Sequence, residues 1–276
     1  MNGEPGGVAA PETQGMDAGA AGSNAACLRI ANACVRYGDL EVLRDVSFEV
    51  GANEIVSLVG RSGCGKTTLL RCVAGLLPLD EGSIRFEGQL VDRPLEGICM
   101  VFQHFALLPW KNVWNNIAYG LKLRRTPNEV VQRRAAEVID MVGLRGFDKA
   151  FPHQLSGGMQ QRTGLARALV MQPRLLLMDE PFSSLDAQTR EVLQFELLRI
   201  WDRQRTAMLF VTHSIDEAVL MADRVVVLGS RPAGVRNVIE VDLPRPRTRQ
   251  VLGTSRFHEI RDQLWQIIFE HDAAWR

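Results

Sequence analysis

Ile55-Val56-Ser57-Leu58-Val59 runs straight into Gly60-Arg61-Ser62-Gly63-Cys64-Gly65-Lys66-Thr67, and the reading of this stretch decides the fold. The first segment is almost wholly apolar and ends at a glycine, the pattern of a strand buried on both faces. The second fits G-x-x-x-x-G-K-[ST], and a helix pattern follows from Lys66. Backbone N–H groups can wrap phosphate oxygens only where side chains do not intrude, which accounts for Gly60, Gly63 and Gly65. Lys66 brings a point charge to the outer phosphates, and Thr67 a hydroxyl suited to Mg²⁺. The helix starting there adds its positive end. Strand, glycine loop and helix in this order predict an α/β fold with phosphates bound at the strand's carboxyl end. Cys64 inside the loop reads as a small filler residue or as a redox group. If exposed, it should react with alkylating agents and be protected by bound nucleotide.

Further strand patterns lie outward from this stretch. Residues 174–179 end an apolar run at Asp179, with Glu180 next; residues 208–212 end at His213; residues 224–228 form one more. Alternation along a strand sends Asp179 and Glu180 in different directions, so one can hold a metal shell while the other faces a water. His213 ends its strand at the same sheet edge, within reach of a terminal phosphate. Residues 128–142 place Val131, Ala135, Val138 and Val142 on one helical face. Ile260, Leu264, Ile267 and Ile268 predict an amphipathic C-terminal helix, which either packs on its own domain or receives a partner.

The chain has 276 residues, 46% of them hydrophobic, enough for one large domain or two modest ones. Lys and Arg number 32 and so do Asp and Glu, so no bulk basic field draws in nucleic acid. No run approaches the roughly 18 apolar residues of a membrane span. The N-terminus lacks a signal-peptide pattern. The cysteines number five, with no Cys-x-x-Cys, which favours reduced thiols in cytosol. Residues 1–26 are rich in Gly, Ala and polar side chains and predict a disordered leader, with a misassigned start as the alternative.

Leu155-Ser156-Gly157-Gly158-Met159-Gln160-Gln161-Arg162 discriminates among nucleotide-binding folds. Serine and two glycines before a helix make a second anion-binding helix start. A second cradle makes sense if it faces the γ-phosphate held by another copy. At this point the chain resembles the ATP-binding cassette family over residues 28–228.

The resemblance implies a P-loop nucleotide-binding domain with a RecA-like core, an antiparallel β subdomain and a helical subdomain at about 107–160. The ATPase domain would span residues 27–230 and a C-terminal extension 231–276. ATP would be held by Tyr37, stacked on adenine, and by Gly60, Arg61, Ser62, Gly63, Cys64, Gly65, Lys66, Thr67 and Thr68. Thr67, Gln103 and Asp179 would hold Mg²⁺, and Glu180, His213 and Gln103 would serve catalysis. Ser156, Gly157, Gly158, Gln160 and Asp186 would reach the ATP of a second copy. Thr163 and Ser214 depart from the family pattern, where a small aliphatic residue and an acid are usual.

The implied assembly is a homodimer of the ATPase on two transmembrane permease subunits at the cytoplasmic face of the membrane, fed by a separate solute-binding protein. Leu107-Leu108-Pro109-Trp110, Arg231-Pro232 and Leu243-Pro244-Arg245-Pro246-Arg247 resemble the nitrate/sulfonate/taurine branch of importers. Residues 107–110 also read as packing for the helical subdomain. Three other readings fare worse. A soluble cassette ATPase would usually carry two cassettes or a long coiled coil. A nucleotide sensor would not need Glu180 and His213. A P-loop kinase would leave residues 155–161 unexplained.

Overall fold

The structure, a computed structural model, describes residues 26–103 and 105–269. The expected leader lies outside the described residues except for Ala26, where the first strand begins.

Two sheets stack on one another. The larger has six strands, β10 (Val235–Glu240), β9 (Arg224–Leu228), β3 (Ile55–Val59), β8 (Ala207–Val211), β7 (Leu175–Asp179) and β6 (Ile98–Val101), in that order across the sheet. All but β10 run parallel. The apolar runs are these parallel strands, and β3, β7 and β8 are buried at every position. Strand alternation divides their side chains between two cores. Ile55, Met178, Met208 and Phe210 face a helical layer. Val56, Leu58, Leu177, Leu209 and Val211 face α1 (Lys66–Val73) and the smaller sheet.

That smaller sheet is antiparallel, ordered β2 (Leu40–Gly51), β1 (Ala26–Tyr37), β4 (Glu81–Phe86), β5 (Gln89–Leu90). β1 bulges between Ala31 and Cys34, with Asn32 at φ 50°. Gly82 faces the bulge at φ +87°, and a Cβ there would sit 2.2 Å from the Asn32 carbonyl oxygen. Both the dihedral and the contact exclude a side chain. Gly82→Ala is expected to cost about 2–3 kcal/mol, read as a lowered melting temperature.

On the other side, α2 (Val113–Ile117), α3 (Tyr119–Leu123), α4 (Asn128–Met141) and α5 (Gly157–Leu169) form the helical layer near β6. α4 buries Val131, Ala135, Val138 and Ile139. α6 (Ala187–Gln204) follows β7, and α7 (Ile215–Met221) follows β8. α8 (Ser255–Phe269) packs on α7 through Phe257, Ile260, Leu264 and Ile268, while Ile267 is only partly buried against the core. Among the described residues, no helix is long and apolar enough to cross a membrane.

Candidate active site

Register brings the polar groups to one edge. Leu58 pairs with Val211, Val211 with Asp179, and Met178 with Val101. The residues that follow these strands therefore emerge side by side: the glycine loop after β3, Glu180 after β7, His213 after β8 and Gln103 after β6.

The loop is wedged tightly against β2. A Cβ on Gly65, at φ +113°, would lie 2.7 Å from the Leu43 side chain and 2.9 Å from that of Val42. Lys66 is buried, and its Nζ donates to the carbonyls of Gly60 at 2.8 Å and Arg61 at 3.0 Å. Arg61, Ser62 and Gly63 remain at the surface, whereas Cys64 is buried. This removes the condition for the expected alkylation: the thiol turns inward, within 4.0 Å of the Lys66 ammonium. Thr68, next to Thr67 on α1, is partly buried.

Thr67 Oγ1 donates to Asp179 Oδ1 at 3.0 Å. Burial pushes the Asp179 carboxyl above the usual carboxylate range, with the Glu180 charge adding to it and the Thr67 hydrogen bond opposing. A hydroxyl beside an under-compensated buried carboxylate fits a small hard cation that prefers oxygen ligands and keeps several waters.

Glu180 takes φ 46°, while its N–H donates to the Val211 carbonyl at 3.0 Å. The carboxylate reaches His213 and Gln103 at the sheet edge. Glu180 Oε2 lies 3.3 Å from His213 Nδ1 and 3.5 Å from Gln103 Nε2. Gln103 Nε2 is also 3.5 Å from Ser183 Oγ. His213 is more than half exposed, on a turn braced from within. Thr212 Oγ1 donates to buried Glu217 at 2.6 Å and accepts from Ser214 N–H at 3.0 Å. Ser214, where the family usually has an acid, caps α7 by accepting from Glu217 N–H.

Ser156 caps α5, its Oγ accepting from Met159 N–H at 3.3 Å. An accepting hydroxyl retains one proton to donate. Gly158 faces α6 closely, since a Cβ would lie 2.9 Å from Thr189 Cγ2. Gln160 Nε2 donates to Pro152 and Leu155 carbonyls, and Asp186 caps α6 through Gln188 and Thr189 N–H groups. Those N–H bonds hold the Asp186 carboxyl below its ordinary range. Among the described residues, no hydrogen bond joins Ser156–Gln160 to the glycine loop of the same chain. Thr163, the other family departure, is buried and satisfied by donating to the Met159 carbonyl at 2.8 Å. Tyr37, about half exposed, ends β1 at the surface.

Three contacts have no local signature in the sequence. Gln161 Nε2 donates to the Pro181 carbonyl at 2.7 Å, tying α5 to the turn after Glu180. Arg167, in the last turn of α5, donates to the carbonyls of Phe105 at 2.6 Å and Ala106 at 2.7 Å, both at positive φ just after Gln103. Arg231 donates to the Gly63 carbonyl from the loop between β9 and β10. That bond fixes one peptide of the phosphate cradle, so Arg231→Met is expected to raise KM for ATP about five- to tenfold with a smaller change in kcat. Steady-state kinetics would show this, with Arg231→Lys recovering part of it.

A glycine loop around a buried lysine, a Thr–Asp pair beneath it and a glutamate facing outward define a P-loop ATPase. The chain belongs to the ATP-binding cassette (ABC) transporter family, whose profile matches residues 43–183. It is 46% identical over 229 residues to an uncharacterised ABC transporter ATP-binding protein of Methanocaldococcus jannaschii, covering 83% of this chain and 85% of that one. It is 41% identical to an aliphatic sulfonates import ATP-binding protein of Bacillus cereus (83% and 89% covered). Identity is 42% to a taurine import ATP-binding protein of Rhizobium johnstonii (84% and 91% covered). Among solved structures, a dimeric ATP-binding cassette in a post-hydrolysis state bound to ADP and phosphate matches with TM-score 0.69 at 26% identity, covering 79% of this chain and all of that one. The chain is thus an ATPase that binds ATP, with the expected α/β cassette fold.

Proposed function

We propose that two copies of this chain sandwich two ATP molecules head to tail and drive a membrane importer. The observation that carries this reading is the place of Ser156. It caps α5 with a hydroxyl proton still to give, yet is hydrogen-bonded within its own helix start and not to its own phosphate loop. A second copy turned about a two-fold axis would bring its own phosphate loop to this hydroxyl. Lys66 of one copy and Ser156, Gly157 and Gly158 of the other then grip one triphosphate, with Asp186 and Gln160 behind them. Tyr37 stacks on the adenine, and the loop from Gly60 to Thr68 wraps the phosphates.

Thr67, Asp179 and Gln103 are the residues that would hold Mg²⁺, which when bound neutralises phosphate charge during transfer. Glu180 orients the attacking water and accepts its proton, and His213 donates to the γ-phosphate. Nucleotide binds the closed pair better than the open one, so ATP shifts the population toward closure and hydrolysis releases it.

Closure acts on two permease subunits at the cytoplasmic face of the membrane. The proposed docking side holds Gln103 and the exposed Trp110, Tyr119 and Leu123. The solute stays with the permease and a separate binding protein. The named relatives and the motif at residues 107–110 favour a small anion of the sulfonate, taurine or nitrate class. Ser156→Arg tests the sandwich. ATP binding should survive, while hydrolysis falls about a hundredfold. Loss of binding itself would place Ser156 in its own subunit's site and overturn the reading.

A further inference from the structure

α8 is anchored by one face and turns another toward the nucleotide cleft. Trp265 and Phe269, one helical turn apart, are 57% and 39% exposed, with ring centroids 4.3 Å from each other. A pair of large aromatics side by side forms an exposed apolar patch of the kind that interaction sites use. Their position places them beside the phosphate loop. One open cavity of about 890 Å³ is lined by Gly60, Ser62 and His213 together with Arg261, Trp265 and Phe269. A second copy closing over the phosphate loop and His213 would come down beside the aromatic pair.

We propose that Trp265 and Phe269 form part of the interface with the second copy of this chain, so that the closed dimer is sealed by an aromatic contact beside the phosphate contact. The inference rests on the sandwich reading, because that reading supplies the occupant of the cleft. The local chemistry suits a protein partner. Arg261 pairs with Asp262 at 2.8 Å, giving a polar rim around an apolar centre. Such a contact differs in kind from the one through the γ-phosphate, because it does not vanish when the phosphate is cleaved. It adds a nucleotide-independent share to dimer affinity and slows separation after hydrolysis.

The test uses the full chain carrying Glu180→Gln, with ATP and Mg²⁺, and compares it with the same chain carrying Trp265→Ala and Phe269→Ala as well. Both side chains are exposed in the monomer and the buried face of α8 is untouched, so the helix should stay folded, which circular dichroism checks. Sedimentation should show the dimer weakened about tenfold or more. Trp265 emission, isolated by subtracting the spectra of the Trp265→Phe form, should become shielded from iodide only when ATP closes the pair. A dimer of unchanged affinity, with Trp265 equally open to iodide, overturns the inference and leaves the sandwich standing. Shielding that needs added permease subunits overturns it too, and assigns the face to them. Failure of the Glu180→Gln chain to dimerise at all removes the sandwich itself, and this inference with it.

Discussion

Glu180→Gln should bind ATP at least as tightly as the unmodified chain, turn over about a thousandfold more slowly, and accumulate as a closed pair. The substitution keeps the shape of the side chain and its reach toward His213 Nδ1 and Gln103 Nε2, at 3.3 and 3.5 Å from Glu180 Oε2. It removes the charge that accepts a proton from water. The phosphate cradle keeps its hydrogen bonds, because Lys66 is tied to the loop carbonyls and Thr67 to Asp179, while the loss of the Glu180 charge relieves part of the push on the Asp179 carboxyl. Binding and catalysis therefore separate. Single-turnover phosphate release would measure the rate, and size-exclusion chromatography with ATP would measure the pair. A chain that stays monomeric with ATP and hydrolyses it normally would remove Glu180 from the chemistry.

Arg247→Met should destabilise the fold by about 3–5 kcal/mol, read from urea or thermal unfolding. Arg247 is 4% exposed. Its Nη1 donates to the carbonyls of Val219, Leu220 and Ala222, and its Nη2 to that of Val241. Those first three close the end of α7, the helix that starts just after His213. Burial pulls the guanidinium down to about 10, with Arg245 nearby adding to the shift and Asp223 opposing it, so the group stays charged at neutral pH. Methionine would fill the space but leave buried carbonyls without donors. Arg247→Lys should recover only part of the loss, since an ammonium offers three donors from one point and cannot span both sets of carbonyls.

The legible parts of this molecule are those where phosphate chemistry or strand burial dictates residue type. The glycines of the loop, the buried run before Asp179 and the serine–glycine helix start are local and can be read in a line. Glu180 is recognisable beside Asp179, but its positive φ is not, because the twist is imposed by a hydrogen bond to Val211 on the neighbouring strand. Cys64 was expected to react only if exposed, and its burial depends on how the loop seats against β2, which no local pattern encodes. The smaller sheet is hard to read strand by strand, since β1 and β2 expose much of their length and β1 is broken by its bulge. Arg231, Arg245 and Arg247 stand out in sequence as a resemblance to one importer branch. In three dimensions they become a prop for the Gly63 peptide, a partner for Asp223 stacked on Trp201, and the cap of α7.

Arg167 carries a consequence for how force crosses the molecule. Its guanidinium grips the strap behind Gln103 from one end of α5, and Ser156 sits at the other end. Phe105 reinforces the grip, lying so close to Gly164 that a Cβ there would fall 3.2 Å from its own. Strap and helix are yoked, so tilting α5 drags Gln103 along. In the proposed sandwich, a tug on Gln103 would thus reach two ATP molecules at once, one facing Gln103 and one facing Ser156. Neither pocket of that pair would loosen without its neighbour feeling the strain.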